Sequence, residues 1–109
     1  MNIYSLFYTK TRLATGYKVY DVNINVTTEE LAIQIFKELA GRIRARHINE
    51  ALSIHECIGV DPCDFEYHEE FITFELVTEE FKYEINVIDI PVHETLDEVL
   101  EHYTIFEQN

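Results

Sequence analysis

In two runs between residues 72 and 87, every second side chain is large and apolar. Ile72, Phe74 and Leu76 alternate with Thr73 and Glu75, and Phe81, Tyr83, Ile85 and Val87 alternate with Lys82, Glu84 and Asn86. A period of two matches the pleat of a strand buried on one face. The break at Thr78–Glu80 places a turn, so residues 68–90 predict an antiparallel hairpin with one apolar face. A hairpin alone is marginal in water, and the rest of the chain must supply what covers it.

Residues 2–9 and 17–27 read as two further strands. In the second, Tyr20, Val22, Ile24 and Val26 alternate with Asp21, Asn23 and Asn25, and a turn at Ala14-Thr15-Gly16 joins the pair. Thr27 as N-cap with Glu30 three residues on predicts a capping box. Leu31, Ile35, Leu39 and Ile43 then form one stripe of an amphipathic helix. Gly41 invites a kink, after which helical spacing resumes through Ile48, Ala51 and Leu52 to about Cys57, with Gly59 and Pro62 ending it. A last helix starts near Thr95, capped by Thr95 and Glu98, and carries Leu96, Val99, Leu100 and Tyr103 on one stripe. The expected fold is α+β in ββα-ββα order, a four-stranded antiparallel sheet with both helices packed on one face. At 109 residues it forms a single domain, 1–109.

Net charge is −13 and its distribution is uneven. Residues 1–55 hold five acidic and seven basic side chains, whereas 56–109 hold sixteen acidic ones and Lys82 alone. Thirteen isoleucines, seven phenylalanines and seven tyrosines supply a core, so the charge does not mean disorder. Like charges at this density repel polyanions, which argues against direct nucleic-acid or membrane binding and for a cationic partner. No basic segment leads an apolar run at the start, and no apolar stretch reaches membrane length. A cytoplasmic location is expected, with Cys57 and Cys63 as thiols.

With the apolar sides inward, Glu69, Phe71, Glu75, Glu80 and Glu84 fall on the outer face of the hairpin region, where Glu75 and Glu84 sit close enough to repel. Asp97, Glu98 and Glu101 on the last helix extend the array if that helix lies beside the same edge. Double-stranded DNA carries one charge per about 1.7 Å of axis, and a rigid carboxylate surface can occupy a groove built for that field. The chain is similar, in size and charge alone and without a shared motif, to the small acidic inhibitors that phages and plasmids direct against restriction and CRISPR nucleases. The expectation is therefore a non-enzymatic inhibitor or regulator acting by DNA mimicry. Its partner would be the cationic surface of a nucleic-acid-handling enzyme. The competing reading is an oligomeric accessory protein, a homodimer for instance, whose acidic face is merely solvated.

His55, Cys57, Cys63 and His68 offer thiolates and imidazoles for zinc, with Cys57, Cys63 and His68 the ligand set of a zinc-stabilised structural module. The spacing departs from the usual pairs two to four residues apart, and His55 and Cys57 would diverge on a helix. Surrounding carboxylates work against a cysteine nucleophile. No catalytic residue and no cofactor is nominated. The one basic cluster is Arg42, Arg44 and Arg46; on a helix Arg42 and Arg46 share a face, and Arg46 is spaced to pair with Glu50.

Overall fold

The computed structural model describes residues 2–60 and 70–102. Strands β1 (Asn2–Arg12) and β2 (Lys18–Val26) form the first hairpin. Its turn is closed by Gly16 N–H donating to the Arg12 carbonyl at 2.8 Å. Gly16 has φ +73°, a conformation that side chains with a Cβ resist, which is why a glycine stands there.

Helix α1 (Glu29–His47) follows without interruption. Its N-cap is Thr28 rather than Thr27: the Thr28 hydroxyl accepts from Leu31 N–H at 3.3 Å, and Glu30 therefore takes no part in a capping box. Glu29 and Glu30 lie in the first turn, where they complement the helix dipole. Gly41 does not break the helix, because buried Ala40 and Ile43 on either side hold it to the sheet. The buried face is Ala32, Phe36, Ala40 and Ile43; Leu31 is largely exposed and Ile35 and Leu39 only flank the core. The expected stripe is thus rotated by about one residue. Small Ala32 and Ala40 let the helix approach closely, and Phe36 fills the gap between them.

The main correction concerns residues 53–60. The sequence spacing predicts helix to about Cys57, yet Ser53–Val60 is strand β3. Ile54 and Ile58 are four apart, which fits helix and strand alike; β-branched Ile54, Ile58 and Val60 and the open edge of β4 decide for strand. Strands β4 (Glu70–Val77) and β5 (Phe81–Pro91) then form the hairpin expected from the alternation, with Thr78 closing its turn through Phe81. Among the described residues the sheet therefore has five strands, not four, all antiparallel, in the order β2-β1-β5-β4-β3.

Helix α1 covers one side of this sheet. Leu6, Ile72, Phe74, Leu76, Tyr83, Ile85 and Val87 meet it there, all buried. Short helix α2 (Leu96–His102) keeps the expected cap, Glu98 N–H donating to the Thr95 hydroxyl at 3.2 Å. It does not keep the expected packing: among the described residues it rests on neither the sheet nor α1, and Leu96 is 69% exposed. Among the described residues only α1 covers the sheet, so the sequence expectation of two helices on one face is half met.

Candidate functional site

Strand register fixes where the candidate carboxylates stand. Glu75 and Glu84 are direct partners on the side of the sheet away from α1, as their parity requires. Lys82 shares that side, two residues before Glu84 and diagonal to Glu75. Its ammonium lies 3.5 Å from Glu75 and 3.7 Å from Glu84. The one lysine of the acidic half thus stands where the two like charges meet. His55 sits opposite Glu75 on β3, and Asp21, farther along the same row, is paired with Lys18 at 3.7 Å.

Other acidic groups are also matched within the chain. Arg44 bonds Glu56 across the helix–sheet boundary, Arg42 bonds Glu38 at 2.8 Å, and His47 lies 3.6 Å from Glu50. The expected Arg46–Glu50 pair is replaced by the last of these contacts.

Most of the other acidic residues in the described segments stand at one end of the molecule. Strand β5 is eleven residues long, so its two ends are roughly 33 Å apart. Glu80 lies in the turn just before β5; Asp97, Glu98 and Glu101 follow the strand's far end through a four-residue connection. The structure does not bring these two sets together. At the far end stand the start of β1, the end of β2, the first turn of α1, the end of β3, the start of β4 and α2. The described residues there (2–5, 24–34, 57–60, 70–73 and 86–102) include Glu29, Glu30, Glu70, Asp89, Glu94, Asp97, Glu98 and Glu101 and no lysine or arginine. Sequence spacing could not show this, because Glu29 and Glu30 lie far from α2 along the chain and belong to its less acidic half.

Glu69, Cys63 and His68 lie outside the described residues. Phe71 occupies the β4 position opposite Gly59. His55 and Cys57 are on a strand rather than a helix, so they share one face instead of diverging. Among the described residues no three potential ligands converge on a metal position.

At the mixed end of the molecule, the second half of α1 and the sheet enclose a cleft of about 320 Å³. Tyr8, Lys10, Tyr20 and Tyr83 line its strand side, and Arg42 and Arg46 its helix side. Lys10 sits among rings, its ammonium 4.3 Å from the centre of Phe81 and 5.3 Å from that of Tyr83. His47 stacks on Tyr83 at 4.6 Å. Burial pushes the Tyr8 and Tyr83 phenols above the usual tyrosine range; at Tyr83 the Glu50 and Glu80 carboxylates add to the rise, and Arg46 opposes it in both. The RIRAR run was the only sequence signal for this cleft; Lys10 and the tyrosines reach it through strand pairing.

Among the described residues, fold and charge define a five-stranded α+β arrangement with one end free of lysine and arginine and a mixed end bearing a cationic, tyrosine-lined cleft. Comparison with protein-family models, with curated proteins and with solved structures returned no match. None of the described helices is long and apolar enough to cross a membrane.

Proposed function

We propose that the chain is a non-enzymatic acidic binding domain that occupies a cationic surface of a nucleic-acid-handling enzyme, standing in for the polyanion. The supporting observation is the far end, with eight acidic residues and no lysine or arginine. On this reading the contact lies at that end rather than on the sheet face. Glu75 and Glu84 have Lys82 between them, whereas among the described residues Asp97 and Glu101 form no ion pair with a lysine or arginine. Counterion release and steering at such an end would favour a groove that normally holds phosphates.

The test is capture of partners from lysate at low and high salt, followed by competition with nucleic acid for the captured enzyme. Asp97→Lys with Glu101→Lys is expected to weaken binding strongly and to flatten its salt dependence. Glu75→Lys with Glu84→Lys should cost less. Loss confined to the second pair would return the contact to the sheet face, and unchanged affinity in both would end the proposal. Glu98 is left intact because its carboxylate accepts from Glu94 N–H at 2.9 Å in the cap of α2.

A second reading, an accessory protein that associates with copies of itself, is favoured by β2. This edge strand leaves Tyr20, Val22 and Ile24 each more than one-third exposed. Sedimentation over a range of protein concentrations tests it.

A further inference from the structure

We infer that the cleft between the second half of α1 and strands β1, β2 and β5 is a binding site for a small phosphate monoester with an aromatic or heterocyclic body. This goes beyond the acidic-end proposal and concerns the opposite end of the molecule. Three of the eight lysines and arginines in a chain of net charge −13 converge on one cavity: Lys10, Arg42 and Arg46. Chance surface scatter does not favour that arrangement where cations are so scarce.

Arg42 is partly committed to Glu38, but neither Lys10 nor Arg46 has a carboxylate within ion-pair distance among the described residues. Two uncommitted positive charges suit a dianion, the state in which a phosphate monoester is largely found at neutral pH. The arginine fork can take two of its oxygens at once. Lys10 is held in place by the rings of Phe81 and Tyr83, so little side-chain freedom remains to be lost on binding.

The rest of the lining suits the body of such a ligand. Tyr8 and Tyr20 stack at 6.4 Å on one wall, and Leu39 and Ile43 contribute apolar surface on the other. Aromatic rings favour offset or edge contact with such walls. Tyrosine phenols are neutral donors at physiological pH, and burial of Tyr8 and Tyr83 moves them further from ionisation, so they add no charge of their own. A volume of about 320 Å³ accommodates one ring system with its phosphate. Glu50 and Glu80 act on Tyr83 in the cleft, but neither forms an ion pair with Lys10 or Arg46; the acidic end lies tens of ångströms away, several Debye lengths at physiological salt.

The probe is phenyl phosphate, added to isotope-labelled protein at physiological salt and followed by amide chemical shifts. Saturable shifts centred on Tyr8, Lys10, Arg46 and Tyr83 are expected at up to millimolar concentration. Arg46→Gln and, separately, Lys10→Gln should each weaken binding by about tenfold or more, the loss of one charge-assisted contact. Both changes are at solvent-accessible positions, and a native spectrum of either variant suffices for the comparison. Phenol should fail to saturate, and benzoate should bind more weakly than the dianion. Absence of shifts, shifts spread over the whole surface, unchanged affinity in a natively folded variant, or benzoate binding as tightly as phenyl phosphate would each overturn the assignment.

Discussion

Phe36 shows how a residue's weight follows from where the backbone puts it. It is fully buried, as are Phe74, Leu6 and Leu76, the chief contributors to the same core. Leu31 belongs to the stripe the sequence suggested, yet 43% of it is exposed. The two substitutions should therefore separate widely. Phe36→Ala is expected to cost about 3–5 kcal/mol, and Leu31→Ala under about 1 kcal/mol, in urea unfolding. Equal costs would mean that α1 sits in the rotation first read from its leucines and isoleucines. The apolar spacing fits both rotations, since Phe36, Ala40 and Ile43 interleave with Leu31, Ile35 and Leu39. What chooses between them is the small size of Ala32 and Ala40, a feature that matters only once the facing strands are known.

Among the elements, legibility follows the uniqueness of the period. The β4–β5 hairpin was legible, turn included, because strict alternation over seven apolar positions has no helical counterpart. The β1–β2 hairpin was legible for the same reason, with Gly16 marking its turn. Strand β3 was not, because Ile54 and Ile58 satisfy both periods and only the free edge of β4 settles the matter. The cap of α2 was legible because it depends on Thr95 and Glu98 alone; its lack of packing was not, because that depends on where β5 ends. Of the candidate site, the carboxylates themselves could be named but their grouping could not. The sheet order β2-β1-β5-β4-β3 is what places Glu29 and Glu30 at the end where α2 lies.

That same order leaves β2 as an edge, and here a prediction follows. Among the described residues its backbone groups have no strand partner on one side along nine residues, with Tyr20, Val22 and Ile24 exposed beside them. Lys18 at its first position is the sole charged guard apart from Asp21. Val22→Lys places a charge in the middle of the edge while its methylene stem still covers Tyr8, its cross-strand neighbour's face. If β2 pairs with a second copy, this variant should remain monomeric in sedimentation at concentrations where the parent associates, with little change in stability. Identical sedimentation of an associating parent and the variant would place the contact elsewhere.

For the whole molecule the separation of charge sets the response to salt. Two effects oppose each other. Added salt weakens the pairs Lys82–Glu75, Lys82–Glu84, Arg42–Glu38 and Lys18–Asp21, whose partners are all at least one-third exposed. Exposed pairs of this kind contribute only about 0–1 kcal/mol each. Salt also screens the repulsion within the acidic end, where eight acidic residues have no lysine or arginine among them. At about 10 mM the Debye length is near 30 Å, so every one of those charges feels the others; at physiological strength it falls to about 8 Å. With a net charge of −13 the repulsive sum has the larger weight. Raising sodium chloride across this range should therefore move the urea midpoint upward, by a stabilisation on the order of 1 kcal/mol, with an unchanged slope. A midpoint that falls would show that the internal pairs outweigh the repulsion, and that the acidic end is less crowded than its residues imply.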